Sequence, residues 1–195
     1  MSEDELKTIV PSGTDHVDDR YGISLDMTYL EDQGRSYMIW SFRQHIGTPL
    51  DSGSMLMIAE VDPEKPHQLI SDPVLIARPV YGYENVQGTI NNEGPHVYRR
   101  DGMIHVNYSG GDARGYLYII NLLSAKEGSD LLDPASWKKR CTPICNFTTF
   151  PSVYGPGHNS WFRDESGKEW IAFHAVDSMN GKRIACAVYE YTEVL

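Results

Sequence analysis

The chain has 195 residues, of which 41% are hydrophobic, 11% aromatic and 23% charged; this is the composition of one globular domain with a real core, not of a disordered chain. A formal net charge of −10 argues against nucleic acid as a partner, because phosphate binding needs Lys and Arg to displace counterions. No stretch approaches the length of a membrane span, and the acidic, polar start MSEDELKTIVPSGTD does not read as a signal peptide, which leaves localisation open.

In chain order, residues 1–20 read as an irregular segment, and its DHVDD at 15–19 reads as a solvated acidic loop and not a calcium site. From residue 21 onward the chain repeats itself. Three stretches align: DMTYLEDQGRSYMIWS from Asp26, EGPHVYRRDGMIHVNYS from Glu93 and HNSWFRDESGKEWIAFH from His158. Each opens on an ionisable residue, runs through a short aromatic-bearing strand and turns at a glycine (Gly34, Gly102, Gly167). Seven residues later each reaches Ser41, Ser109 or His174, preceded by an aromatic residue (Trp40, Tyr108, Phe173). A polar turn between strand-like runs predicts a hairpin. Third strands follow at SMLMIAEV, GYLYIINLL and RIACAVYEY, and the first two units add a fourth after connectors that share an Asp-Pro. No helical period intervenes. The predicted fold is all-β: a β-propeller of four-stranded antiparallel blades, with units at about 21–80, 87–147 and 152–195.

In a propeller the innermost strands run along a common axis, so matched residues converge on one funnel. Asp26, Glu93 and His158 are therefore expected to face one another there. Two carboxylates across a cleft are the minimum for glycoside hydrolysis, one giving a proton to the leaving oxygen while the other activates water or attacks the anomeric carbon. Their proximity separates their proton affinities. His158 lies in YGPGHNS, whose glycines let the backbone approach the axis. It suits a single ligand of an axial ion or a hydrogen-bonding partner for substrate, and one His does not define a metal site. Cys141, Cys145 and Cys186 form no zinc spacing and no even disulfide framework. SGGDARG at 109–115 lacks the strand-to-helix context of a phosphate loop. The sequon at Asn107 falls inside a strand pattern and reads as silent, while that at Asn146 suits a loop.

The stretches NNEGPHVYRRDGMIHVNYS, DPASWKK, VYGPGHNSWFRDESGKEWIAFHA and SLDMTYLEDQGRSYMIWS resemble glycoside hydrolase family 43, in particular its exo-acting α-L-arabinofuranosidases, from about Tyr21 to Val194. The resemblance implies a five-bladed propeller, of which this chain would hold about three blades, and inverting hydrolysis of arabinose- or xylose-containing polysaccharide. It implies Glu93 as general acid and Asp26 as the acid that tunes Glu93 and orients substrate. His158 would be the axial histidine associated with calcium, another ion or water, with no cofactor required. Arg183 would contact sugar hydroxyls, and Trp40, Tyr108 and Tyr116 would build the pocket wall. The family's general base is an upstream Asp; none of Asp4, Asp15, Asp18 or Asp19 sits in a strand-hairpin unit, so no base is identified. A β-xylosidase and a non-catalytic sugar-binding module are the alternatives. Family members are often extracellular, and open propeller edges would favour association with another chain.

Overall fold

The computed structural model describes residues 22–86, 88–179 and 183–190, so the expectations for the first twenty residues, including DHVDD, and for the end of the third unit lie outside the described residues. The first sheet comprises β1 (Ile23–Asp32), β2 (Arg35–Arg43), β3 (Met55–Asp62), β4 (Lys65–Leu69) and β5 (Val74–Ala77), in the order β1-β2-β3-β4 with β5 also on β3. A two-stranded ribbon, β6 (Asn85–Val86) and β7 (Thr89–Ile90), leads to the second sheet. That sheet comprises β8 (Asn92–Arg100), β9 (Met103–Gly110), β10 (Ile119–Lys126) and β11 (Lys138–Lys139). The third comprises β12 (Tyr154–Arg163), β13 (Glu169–Val176) and β14 (Arg183–Glu190). All named pairings are antiparallel. The inner strands stand side by side, β1 against β8 and β8 against β12, which makes these sheets three successive blades of a β-propeller.

Boundaries differ from the sequence reading in two places. The third strand of the second blade begins at Ile119, four residues later than expected, because Gly115 to Tyr118 form a turn packed against Gly155 and Gly157. The outer edge of the first blade is shared by two short strands, β4 and β5, split by a turn at Ser71.

Turn chemistry sets the strand registers. Asp32 pairs with Arg35 and Arg100 with Met103, so Gln33-Gly34 and Asp101-Gly102 are two-residue hairpin turns, with φ of 50° and 72° in the first and 51° and 72° in the second. Positive φ at both central residues is the type I′ geometry that matches the right-handed twist of paired strands. The third hairpin is longer, from Arg163 to Glu169, and Asp164 organises it by accepting from Ser166 N, Lys168 N and Trp170 Nε1.

Side chains alternate across each sheet, so each blade shows one face to the preceding blade and one to the following blade. Between the first two blades, Tyr37, Ile39 and Ile58 pack on Ile104, Val106 and Leu123. Between the second and third, Tyr98, Ile120 and Phe150 pack on Ile171 and Phe173. At the periphery Arg99 reaches back to Asp32 and the Glu31 carbonyl, and Arg100 reaches forward to Glu169.

Glu84, fully buried on the short turn before β6, gathers the second blade around one carboxylate. It accepts from the amides of Val80 and Tyr81, from Tyr108 Oη at 2.8 Å and from Lys139 Nζ at 2.7 Å. Lys139 also donates to Asn92 Oδ1 at 2.7 Å, tying the outermost strand to the start of the innermost. Burial pushes the Lys139 ammonium down, and the Glu84 contact opposes that. Removing one member of a buried pair strands the other charge. Lys139→Met should therefore destabilise the fold by about 3–5 kcal/mol in urea unfolding, against under ~1 kcal/mol for a surface pair.

Candidate active site

Each inner strand is broken near its start by a β-bulge. Leu25 pairs with Ser41, Glu93 with Ser109 and Gly157 with His174, and in each strand the register shifts immediately afterwards. The residue that follows adopts left-handed backbone: Asp26 with φ 57°, Gly94 with φ 58° and His158 with φ 48°. Such backbone is costly outside glycine, though Asp, Asn and His tolerate it best, and it concentrates at functional sites.

The bulges correct the sequence alignment by one residue. Asp26 and His158 occupy equivalent positions, but their counterpart in the second blade is Gly94; Glu93 lies one residue earlier. Counting back from the turn glycine conceals this, because the third hairpin loop is longer than the other two. Asp26 and His158 still come together across the second bulge, next to Glu93 in the chain. Gly94 N donates to Asp26 Oδ2 and to Ser41 Oγ, both at 3.2 Å. His158 Nε2 lies 3.7 Å from Asp26 Oδ1. A Cβ on Gly94 would stand 3.3 Å from His158 Cγ, so the bare glycine lets the His158 ring lie across the second bulge.

Glu93 is held by a residue the sequence reading did not single out. Tyr118 Oη donates to Glu93 Oε1 at 2.7 Å from a fully buried ring. Burial first, and then the charge of Glu93, push the phenol well above its ordinary value, so it stays a donor. The ring is clamped: Gly157 lies so close that a Cβ there would be 2.0 Å from Tyr118 Cε1, and His174 stacks on it with centroids 5.4 Å apart. This is why the GPG stretch needs its second glycine.

Arg43, at the end of β2, is a second such residue, its guanidinium within electrostatic reach of Glu93. It is fixed by Asp51, which accepts from Nε at 2.8 Å and Nη2 at 2.7 Å. Asp51 also takes the amides of Gly47 and Gly53. With both oxygens occupied and its carboxyl held well below the usual range by Arg43, Asp51 anchors the arginine and has no lone pair free to activate water.

The expected pocket wall is largely elsewhere. Trp40 is 2% exposed and Tyr108 fully buried. Tyr108 reaches Glu84 and not the funnel, because alternation turns it away from the face that carries Ser109. Tyr116 is half-buried beside Gly155, edge-on to Phe147. Arg183 is exposed at the start of β14, and its charge is felt by His174.

Among the described residues no group of three or more His, Cys, Asp or Glu is placed to hold a metal ion. His158 offers one imidazole whose Nε2 faces Asp26, which does not fit an ion caged by protein ligands. The sequon at Asn107 is fully buried, as expected of a silent site.

The chain matches Glycosyl hydrolases family 43 over residues 14–190. It is 31% identical over 153 residues to an extracellular exo-α-(1→5)-L-arabinofuranosidase of Streptomyces chartreusis, covering 78% of this chain and 44% of that protein. It is 33% identical to α-L-arabinofuranosidase 43 of Humicola insolens, covering 77% of this chain and 30% of that one. The crystal structure of an α-L-arabinofuranosidase from Lactobacillus brevis superposes with a TM-score of 0.73 at 29% identity, over 86% of this chain and 52% of that one. The chain thus spans half or less of the length of the curated relatives it matches.

Burial first, then the Arg183 guanidinium and the neighbouring His158 ring, push His174 down from 6.5 to about 4, so it is neutral in the fold at neutral pH. From about pH 6.5 down to about pH 4 the unfolded chain takes up a proton there that the folded chain refuses. Stability should fall as pH drops through that window and level off below it. His174→Phe should flatten this slope in urea unfolding measured across the same range.

Proposed function

Because the chain belongs to Glycosyl hydrolases family 43, we propose that it carries the proton-donating half of a glycosidase site acting on arabinose-containing polysaccharide outside the cell, with terminal α-L-arabinofuranose as the sugar released. The observation that carries this reading is the Tyr118–Glu93 hydrogen bond at the mouth of the second-blade bulge. By occupying Oε1 it leaves Oε2 as the oxygen that presents a proton to the leaving group. Asp26, held by the Gly94 amide, adds a second negative charge on the facing blade. Such a charge balances positive charge growing on the sugar ring. His158, Arg43 and Arg183 supply donors for ring hydroxyls. The names of the relatives support the sugar and the extracellular setting.

Inversion also requires a base on the opposite face of the sugar. Asp51 does not serve, since its oxygens are filled; the second reading is that the same funnel binds sugar without turning it over.

Hydrolysis of α-1,5-arabinobiose and of p-nitrophenyl α-L-arabinofuranoside separates these readings. Glu93→Gln should lower the disaccharide rate by about a hundredfold or more. It should lower the nitrophenyl rate far less, because nitrophenolate leaves without a proton. Equal rates for Glu93→Gln and wild type on the disaccharide would refute the assignment. A folded chain that binds arabino-oligosaccharide but hydrolyses neither substrate establishes the second reading.

A further inference from the structure

Strand register sets the depth of each polar group in the funnel. Ile23 pairs with Arg43 and Asn92 with Gly110, so the inner strands begin at the mouth, where β2 and β9 pass into their connections. Counting inward from there along the first blade, Arg43 comes first, Ser41 lies two residues deeper, and Asp26 follows past the bulge. Ser41 Oγ takes the Gly94 amide, so Glu93, one residue before Gly94, lies between the level of Arg43 and that of Asp26. Alternation puts Arg43 on the same face of β2 as Ser41, toward the second blade, where its guanidinium feels the charge of Glu93.

The loop that follows Arg43 is fastened to the strand that carries Glu93. Gln44 and Ser52 close its base, Ser52 N donating to the Gln44 carbonyl and Gln44 N to Ser52 Oγ. Ser54 N donates to the Ile90 carbonyl, and Asn92 N donates to the Ser54 carbonyl. Gly53, with φ 65°, lies against Ile90, where a Cβ would stand 2.4 Å from Cγ2. Asp51 holds the arginine through Nε and Nη2 and the loop through the Gly47 and Gly53 amides. Nη1 stands outside that pair and has no hydrogen-bond partner among the described residues. A guanidinium already fixed through two nitrogens loses little further freedom when the third donates.

We propose that Arg43 binds the sugar on the leaving side of the scissile bond, its Nη1 donating to a hydroxyl of that sugar, with Asp51 as the residue that positions it; this rests on the reading of Glu93 given above. Release of a terminal sugar puts the departing unit deep in the funnel, beside Asp26, and the rest of the chain toward the mouth. Glu93 then stands at the oxygen between the two units, and Arg43 is the next polar group outward on the facing blade. The contact favours an oligosaccharide over an arabinoside with a small leaving group.

Titrations of the full chain followed by NMR test this, with Glu93→Gln as the parent so that turnover does not consume the ligand. Methyl α-L-arabinofuranoside fills only the terminal position, whereas α-1,5-arabinobiose spans both. Adding Arg43→Met should weaken arabinobiose binding about tenfold, the loss of one charged donor, and leave the methyl arabinoside within about twofold. Arg43→Lys keeps the charge without the fork, should also weaken arabinobiose alone, and serves if circular dichroism shows Arg43→Met unfolded. An equal loss for both ligands, or no loss for either, overturns the assignment of Arg43 and leaves that of Glu93 standing. If neither ligand binds the Glu93→Gln parent or wild type, the sugar site itself is refuted and the assignment of Arg43 with it.

Discussion

The site rests on a backbone amide placed by a bulge. A regular strand would spend the N–H of residue 94 within its own sheet; the bulge frees it from the ladder and turns it toward the preceding blade, where it meets both Ser41 and Asp26. The same device at His158 meets Ser109. Packing between blades is apolar and tolerates small sliding. A hydrogen bond aimed from a left-handed residue does not, so it fixes how far each inner strand is pushed along the axis. The carboxylates are carried by that register.

Glycine is required at three points for three different reasons. Gly94 yields its side-chain space to the His158 ring, Gly157 yields its space to the Tyr118 ring, and Gly155 lies against the Gly115 carbonyl, where a Cβ would stand 2.2 Å from the oxygen. Together they let the third inner strand lie close enough to the second for Tyr118 to reach Glu93. Glu93 therefore depends on the third blade although it belongs to the second, much as Asp26 depends on the amide of the second although it belongs to the first.

The repeat, the three blades and the approach of Asp26 to His158 were legible in the sequence because turn glycines and alternating apolar residues are local signals. The exact register of Glu93 was not, since a bulge adds a residue without leaving a composition mark and the longer third hairpin masks the offset. Tyr108 was misplaced for a reason already present in the alternation: a residue next to Ser109 on the same strand must face the other way. Tyr118 escaped notice because its strand begins only at Ile119, so its role comes from tertiary contact with Gly157 and His174. Arg43 was two residues past the repeat's Ser41, where only the distant Asp51 loop shows what it is for.

The contrast between Glu93 and Asp51 shows how environment, not residue type, divides the acids of this site. Asp51 is surrounded by four donors and locked as an anion, useful only for holding Arg43. Glu93 has one firm donor in Tyr118 and sits half-buried, with its second oxygen outside that hydrogen bond. A carboxyl that is to give up and regain a proton needs such incomplete satisfaction, because every further donor stabilises the anion and weakens the reason to take the proton back. The array that stiffens the inner strands thus leaves, next to its second bulge, a carboxyl held by the Tyr118 phenol through one oxygen.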